Sequence, residues 1–259
     1  MSDTFTRALA RPPAASFAEG LTTADLGAPD LEKALAQHAA YCEALVGCGL
    51  ELLHLPPDDR HPDSTFVEDT AVIARGAAIV TRPGAASRAG EVHAIRTALA
   101  GFFPGLDEIQ APGTVDGGDI CEAGEHVFIG LSHRTNEEGA AQLARFLALQ
   151  GLTSQNVDIR NVPGILHLKS GISYLGDGRM LVIEALAEHP AFSSLTVLRV
   201  PRGEEYAANA IRVNDRVLLP AGYPGVEELL RNAGDTLLTL DMSEFRKMDG
   251  GLSCLSLRF

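Results

Sequence analysis

Cysteine and positive charge are both scarce in this chain of 259 residues. The four cysteines, Cys42, Cys48, Cys121 and Cys254, show no Cys-x-x-Cys spacing. They are too few to form a disulfide framework in a chain of this length, and their spacing is not typical of a metal site. The sequence therefore predicts a protein of a reducing compartment, the cytoplasm.

Lysine and arginine together number 21 against 34 aspartates and glutamates, so the formal net charge is -13. A nucleic acid or an anionic membrane requires a basic binding face, so neither is an expected partner. No apolar run reaches the length of a membrane span, and residues 1–7 lack the basic and then apolar pattern of a secretion signal. An acidic balance is compatible with a cationic ligand.

Glycine, in contrast, is abundant, and the 26 glycines indicate many tight turns. Hydrophobic residues make up 46% of the chain, which is enough for a sizeable core. No linker rich in proline or serine and no low-complexity tract divides the sequence. We therefore expect residues 1–259 to form a single domain.

Helical and strand patterns alternate along the chain. Apolar residues at helical spacing begin after Asp30 and end before Gly47, and a strand pattern follows at residues 50–55. Four further helices are predicted, at residues 87–102, 136–150, 183–190 and 224–233. A short apolar strand follows each of them, for example at residues 195–200 and 236–240. This alternation indicates an α/β fold.

Five segments of the chain resemble one another. Each begins with a small or polar head, followed by a strand and, in all but the last, by a turn of Gly, Asp or Asn type and a second strand. An internal repeat of this period predicts a closed or stacked assembly. The heads fall at Asp69, Asp119, Gly171, Asn209 and Cys254, within the segments 66–81, 115–130, 166–183, 205–220 and 250–259.

The last repeat has only one strand, so its partner strand must come from elsewhere in the chain. Residues 4–11 alternate like a strand and are stopped by Pro12 and Pro13, which makes them the free candidate. Pairing the two ends would close a ring and remove both exposed edges. The five heads would then converge on one central cavity.

That cavity would collect ionisable side chains. Carboxylates that face inward are costly unless a cation neutralises them, and a planar guanidinium matches paired carboxylates geometrically. A cysteine and a histidine supply the nucleophile and the proton carrier that an attack on the guanidinium carbon needs. The side chains concerned are Asp63, Glu68, Asp69, Asp116, Asp119, His167, Lys169 and Cys254.

At these residues the chain resembles the dimethylarginine dimethylaminohydrolase family, part of the guanidino-group-modifying superfamily with the arginine deiminases and amidinotransferases. The resemblance covers nearly the whole chain. It implies a five-bladed α/β propeller, the pentein fold, of ββαβ repeats with pseudo-five-fold symmetry around a central active site. The motifs that carry it are FVEDTAV, VDGGD with FIGLSHRTN, LHLKSG, YAANAIRVN and MDGGLSCLS.

The resemblance implies a hydrolase that acts on C–N bonds in linear amidines. Its substrate would be asymmetric dimethylarginine or monomethylarginine, and its products citrulline and dimethylamine or methylamine. Cys254 is expected to attack the guanidinium carbon and form a covalent thiouronium intermediate, while His167 protonates the leaving amine and later activates water. Asp116 would orient His167 and hold a guanidinium nitrogen. No cofactor and no metal is implied, although a thiolate–imidazole pair could bind Zn²⁺ as an inhibitor.

The resemblance also implies how the substrate is held at both ends. Glu68 and Asp69 resemble the acidic wall of the guanidinium site, and Met248 matches an apolar position that lines the substrate. The substrate is a guanidino amino acid, so its other end is zwitterionic. That end is expected to bind Asp63, the backbone of Leu21, Arg88 and Arg134.

Lys169 and Asn209 are expected to brace loops, and Asp119 either braces its loop or takes part in the site. The alternatives to methylarginine hydrolysis are a hydrolase or deiminase for another guanidino compound such as arginine, and a non-catalytic protein that binds cationic amino acids. Residues 21–27 and the turn before Cys254 differ from mammalian family members, which leaves the substrate open. The oligomeric state is equally open, with a homodimer as one option.

Overall fold

Fifteen strands form five three-stranded sheets in the computed structural model, which describes residues 4–259. Residues 1–3, part of the segment considered for a secretion signal, lie outside the described residues. The strands are β1 (Arg7–Ala10), β2 (Glu51–His54), β3 (Ala71–Ala74), β4 (Ala77–Val80), β5 (Leu106–Glu108), β6 (Ile120–Ala123), β7 (His126–Leu131), β8 (Thr153–Asp158), β9 (Ile172–Gly176), β10 (Arg179–Val182), β11 (Thr196–Arg199), β12 (Ile211–Val213), β13 (Arg216–Pro220), β14 (Thr236–Leu240) and β15 (Ser256–Arg258).

The helices are fewer than the strands. The α-helices are α1 (Leu31–Gly47), α2 (Val92–Leu99), α3 (Glu137–Leu149), α4 (Pro224–Asn232) and α5 (Ser243–Arg246). Five short 3-10 turns precede the first strands of the five sheets, and we call them the first to fifth hub turns: Val67–Thr70, Gly117–Asp119, Leu168–Ser170, Glu205–Ala208 and Ser253–Leu255. Further 3-10 turns lie at Phe17–Glu19, Ala86–Arg88, Glu184–Leu186 and Pro190–Phe192.

All five sheets share one plan, which confirms the predicted propeller of five repeats. The first two strands of each repeat pair antiparallel, and the third strand pairs parallel with the second. The strand orders are β3-β4-β5, β6-β7-β8, β9-β10-β11, β12-β13-β14 and β15-β1-β2.

The fifth sheet closes the ring as predicted, because β15 at the end of the chain pairs antiparallel with β1 at its beginning. Leu9 lies opposite Leu257 in this register. Both side chains are buried, in a cluster with Val67 and with Ile95 and Leu99 of α2. The closing blade is therefore held by backbone hydrogen bonds and by an apolar seam to the neighbouring blade.

Local sequence explains where the main elements begin and turn. The side chain of Asp30 accepts a hydrogen bond from the backbone N of Lys33 at 3.0 Å and caps α1, and Asn136 caps α3 in the same way. In the β3–β4 hairpin, Arg75 and Gly76 have φ values of 47° and 77°. Positive φ at both positions suits the right-handed twist of the paired strands.

One predicted helix is wrong. Residues 183–190 form no α-helix but are covered in part by the two 3-10 turns Glu184–Leu186 and Pro190–Phe192. Pro190 has no N–H to donate, and its ring disfavours the helical conformation of the preceding residue. The helix predicted at 87–102 is also shorter, since α2 covers only Val92–Leu99, and α5 was not predicted.

The sequence predicts no membrane-spanning helix. Within residues 4–259, no helix combines the length and the apolar character that crossing a membrane requires.

Replacing Leu9 by alanine is expected to lower the free energy of unfolding by about 2–5 kcal/mol, because the side chain is fully buried where the ring closes. Leu149→Ala is the matched control, since Leu149 is 78% exposed at the end of α3. We expect its effect to stay within about 0.5 kcal/mol. Urea unfolding followed by circular dichroism measures both, and equal losses would contradict the role of the seam.

Candidate active site

Three of the hub turns bring reactive side chains together. Asp69 lies in the first hub turn, His167 directly precedes the third, and Cys254 lies in the fifth. The first hub turn packs against the second and the fifth, and the second packs against the third. Residues nearly 200 positions apart in the chain thus line one pocket.

The pocket contains eight of the ten predicted site residues. They are Leu21, Asp63, Asp69, Arg88, Arg134, His167, Met248 and Cys254. Four lining residues were not predicted: Phe66, Leu166, Asp249 and Gly250. Each of these four is within two residues of a predicted one, so the sequence motifs around the predicted residues could have identified them.

Asp116 lies behind the pocket and holds the imidazole of His167. Its Oδ2 is 3.1 Å from His167 Nε2, and its Oδ1 accepts a hydrogen bond from the backbone N of Gly84 at 2.7 Å. Asp116 is fully buried, and Arg134 Nη1 lies 3.9 Å from Oδ2. Asp116 thus contacts the imidazole of His167 directly, but it does not line the pocket in which it was expected to hold a guanidinium nitrogen.

The imidazole of His167 is surrounded by negative charge. Burial disfavours its charged form, but the carboxylates of Asp69, Asp119 and Asp116 outweigh burial and raise the pKa of His167 to about 9. At neutral pH the ring is therefore an imidazolium, which is the form that can donate a proton.

Arg88 neutralises Asp69 at the floor of the pocket. Arg88 Nη1 is 2.5 Å from Asp69 Oδ2, and its Nε and Nη2 donate to the carboxylate of Glu91 at 2.8 to 3.1 Å. Nη2 also donates to the backbone O of Phe66 at 2.9 Å. A guanidinium has five N–H donors, and these bonds use four of them, so one N–H of Nη1 remains for a ligand. Burial favours the neutral acid, but the charges of His167 and Arg88 lower the pKa of Asp69 to about 2.

Asp63 joins the segment after Gly20 to the pocket. Its Oδ1 and Oδ2 lie 3.0 and 3.2 Å from the backbone N of Leu21. Burial raises the pKa of Asp63, and the nearby charge of Arg88 opposes this increase. The two groups expected at the amino-acid end, Asp63 and Leu21, are thus in contact with each other.

Cys254 is half-buried, and its Sγ lies 4.0 Å from the hydroxyl of Ser253. Burial, together with the negative charges of Glu68 and Asp69, raises the pKa of the thiol to about 12. The same negative field thus acts on both reactive groups, because it keeps the thiol neutral and the imidazole of His167 charged.

Glu68 does not line the pocket, although it was predicted to form part of its acidic wall. Its carboxylate accepts from Lys169 Nζ at 2.6 Å and from Ser253 Oγ at 2.7 Å, and Arg258 Nη2 lies 3.5 Å away. All four residues line a separate, larger cavity. Neighbouring residues of a 3-10 turn project about 120° apart, so Glu68 and Asp69 point to different sides of the hub turn.

Asp119 braces its loop, which was one of the two roles left open. Its carboxylate accepts hydrogen bonds from the hydroxyls of Ser132 and Thr135, both at 2.7 Å, and from the backbone N of Leu168 at 3.0 Å. Burial raises the pKa of Asp119 to about 6. Asp119 does not line the pocket, so its contacts fix the turn that carries His167.

The ligand atoms of Asp69, Asp116 and His167 lie within 4.8 Å of one another, a spacing that could hold a metal ion. Cys254 is not a member of this group of three. Arg88 already supplies a cation to Asp69, which disfavours a second cation at the same carboxylate.

Known proteins match this chain along nearly all of its length. N(G),N(G)-dimethylarginine dimethylaminohydrolase of Pseudomonas aeruginosa is 46% identical over 256 residues, which cover 98% of this chain and 100% of the relative. The protein of the same name from Streptomyces coelicolor is 37% identical over 254 residues, covering 97% and 96%. No family model matches the sequence.

Solved structures match equally well. A cysteine-to-serine mutant of the Pseudomonas aeruginosa protein, complexed with citrulline, has a TM-score of 0.96 at 45% identity, covering 99% of this chain and 100% of that one. The N-terminal domain of the cyanobacterial arginine dihydrolase ArgZ has a TM-score of 0.88, covering 99% of this chain and 97% of that one. Its identity to this chain is 19%, so the likeness shows the fold alone. Relatives of 46% and 37% identity that extend from end to end show that this chain belongs to the dimethylarginine dimethylaminohydrolase family of hydrolases.

Proposed function

We propose that this protein hydrolyses asymmetric dimethylarginine or monomethylarginine to citrulline and dimethylamine or methylamine. The observation that carries the proposal is one pocket that holds the half-buried thiol of Cys254 together with an imidazole paired to a buried carboxylate. Such a pair supplies a nucleophile and a proton donor on the same substrate carbon. The name of the relative that is 46% identical agrees with this chemistry.

The substrate itself is proposed to activate the thiol. With a pKa of about 12 the thiol of Cys254 is neutral at pH 7, because burial and two carboxylates disfavour the thiolate. A guanidinium bound beside Asp69 brings a positive charge to the sulfur and lowers this cost. Thiolate formation is thereby confined to the complex with a cationic ligand, and the released proton passes to solvent.

The reaction then proceeds in two steps. The thiolate of Cys254 forms a C–S bond to the guanidinium carbon, and the C–N bond to the methylated nitrogen breaks as the imidazolium of His167 donates its proton. In the second step the neutral imidazole takes a proton from water, and the resulting hydroxide attacks the thiouronium carbon. The C–S bond then breaks with its electron pair going to sulfur, the new hydroxyl gives its proton to the departing thiolate, and citrulline and the neutral thiol of Cys254 remain. Asp116 keeps the ring in place and stabilises its charged form in both steps.

The amino-acid end of the substrate is proposed to bind at the opposite side of the pocket. Asp63 and the backbone of Leu21 would take the ammonium group, and Arg134 and the remaining donor of Arg88 would take the carboxylate. Within residues 4–259, the guanidinium of Arg134 makes a single long contact, 3.9 Å to Asp116, so it keeps donors for a ligand. Met248 also lines the pocket and would supply an apolar contact for the side-chain methylenes.

The protein is proposed to act in the cytoplasm. All four cysteines are free thiols, as expected in a reducing compartment.

Product formation tests the proposed reaction directly. Wild-type protein is expected to release citrulline from monomethyl- and asymmetric dimethylarginine, and the Cys254→Ser variant to lose at least about 1,000-fold in kcat because the nucleophile is removed. Arginine and symmetric dimethylarginine complete the substrate panel, and Cys42→Ser, a buried cysteine of α1, is the matched control. Failure of the wild-type protein to form citrulline from any of the four would sink the enzymatic proposal.

The ionisation of His167 can be followed by NMR. We expect its imidazole to titrate near pH 9 in the free protein and Asp116→Asn to lower the midpoint, since a bonded negative charge is lost. Asp58→Asn is the control, because Asp58 bonds the ring of His61 at 3.1 Å instead. The resonance is assigned with His167→Gln. A wild-type midpoint near 6.5 would contradict the proposed proton donor.

Alkylation of Cys254 tests activation by a cation. The rate with neutral iodoacetamide should rise about tenfold per pH unit from pH 7 to 10, because the thiolate fraction follows a pKa of about 12. At pH 8, the ratio of the alkylation rate by a cationic haloacetamidine to the rate by iodoacetamide should be higher for Cys254 than for free cysteine. Mass spectrometry locates the label. An iodoacetamide rate that levels off below pH 9 would argue against a neutral resting thiol.

A further inference from the structure

Side chains near one hub turn repeatedly bind the backbone of the next. Asp69 Oδ1 accepts from the backbone N of Gly118 at 2.8 Å, and Asp119 Oδ1 accepts from the backbone N of Leu168 at 3.0 Å. The corresponding bond to the fifth hub turn comes from Asn209, whose Oδ1 accepts from the backbone N of Ser253 at 2.9 Å. Asn209 is therefore the counterpart, next to the nucleophile, of the aspartate that fixes the turn of His167.

The side-chain NH₂ group of Asn209 also donates two hydrogen bonds. Its Nδ2 lies 3.0 Å from the hydroxyl of Ser253 and 2.9 Å from the backbone O of Lys169. Ser253 directly precedes the nucleophile Cys254, and Lys169 lies in the hub turn that follows His167. One side chain thus connects the turn that carries the thiol with the turn that carries the imidazole.

The turn before Cys254, at Gly250 and Gly251, packs directly against the side-chain amide of Asn209. A Cβ added at Gly251 would come within 2.5 Å of Asn209 Oδ1, so a glycine is needed for the approach. Asn209 is only 6% exposed and does not line the pocket, which means that it reaches the substrate only through other residues. Tyr206 supports the same turn through its hydroxyl, which donates to the backbone O of Gly250 at 2.8 Å.

We propose that Asn209 is a positioning residue that sets the place of the Cys254 sulfur relative to the imidazole of His167. The inference rests on the proposed function, in which both groups act on the same carbon. None of the three hydrogen bonds of Asn209 involves a reacting atom, so their loss should change the alignment of the nucleophile and leave the groups that bind the substrate in place. A misplacement of about 1 Å can cost about 100-fold in rate.

Turnover by Asn209→Ala tests this role. We expect kcat for the best methylarginine substrate to fall about 10- to 100-fold, with KM within about threefold of wild type, because binding groups are untouched. The matched control is Asn214→Gly. Asn214 likewise makes three hydrogen bonds to its neighbours, with the backbone of Phe5 and Cys48, and its φ of 55° suits glycine.

The control should lose thermal stability but keep kcat within about twofold of wild type, because it removes the same number of hydrogen bonds away from the pocket. If both variants lose kcat to the same extent, or if Asn209→Ala keeps kcat within twofold, the positioning role is wrong. Should Asn209→Ala fail to fold, Asn209→Asp keeps the shape and the acceptor for Ser253 N but loses both donated bonds. It is expected to lose kcat at least about tenfold with KM unchanged.

A measurement without substrate separates this inference from the proposed function. Releasing the turn should expose the thiol of Cys254 to solvent, so Asn209→Ala should be alkylated by iodoacetamide at pH 8 at least about three times faster than wild type, while turnover falls. General destabilisation would also speed alkylation and slow turnover, so the comparison with Asn214→Gly, which loses stability but should show neither change, isolates the local effect of Asn209. Unchanged alkylation would overturn the inference even if the wild-type protein turned over no guanidino compound.

Discussion

Backbone hydrogen bonds between the two ends of the chain complete the fifth blade, and the position of the Cys254 thiol depends on them. The backbone O of Phe259 accepts from Thr6 N at 2.9 Å and from Arg7 N at 2.7 Å, and Phe259 N donates back to Arg7 O. Without this pairing β1 and β2 would form a two-stranded sheet with an unpaired edge. Cys254 lies only two residues before β15, so closing the ring also brings the thiol to the hub.

Polar contacts join the hub turns in addition to the apolar packing of their buried residues, such as Val67, Leu168 and Leu255. Asp69, Asp119 and Asn209 are all buried, and each accepts a backbone hydrogen bond from the following hub turn. Removing one partner of such a bond would leave a buried group unsatisfied, which costs about 1–3 kcal/mol. The same contacts that join the blades therefore also limit how far the reactive side chains can move.

Burial and negative charge at the hub together account for the resting state of both groups. Burial, reinforced by the carboxylates of Glu68 and Asp69, raises the pKa of Cys254 to about 12, whereas carboxylates raise the pKa of His167 to about 9 against the effect of burial. Arg88 neutralises part of this field through Asp69 and Glu91, and its own pKa is raised well above the ordinary value because their charges outweigh burial. A cationic ligand would neutralise the remaining negative charge, which links the charge of the ligand to the ionisation of the thiol.

The sequence by itself determined the repeat, the pairing of the two ends and the residue types gathered at the heads, because hydrophobic alternation and turn residues are local properties. It misplaced a helix at residues 183–190, where Ile183 after β10 and His189 before Pro190 are both extended and leave only residues 184–188 between them. Only the tertiary structure decided which head residues face the pocket. Glu68 and Asp69 are adjacent and chemically alike, yet the 3-10 turn directs one to the pocket and the other to Lys169. Side-chain direction depends on what packs around the turn, and those partners come from distant parts of the chain.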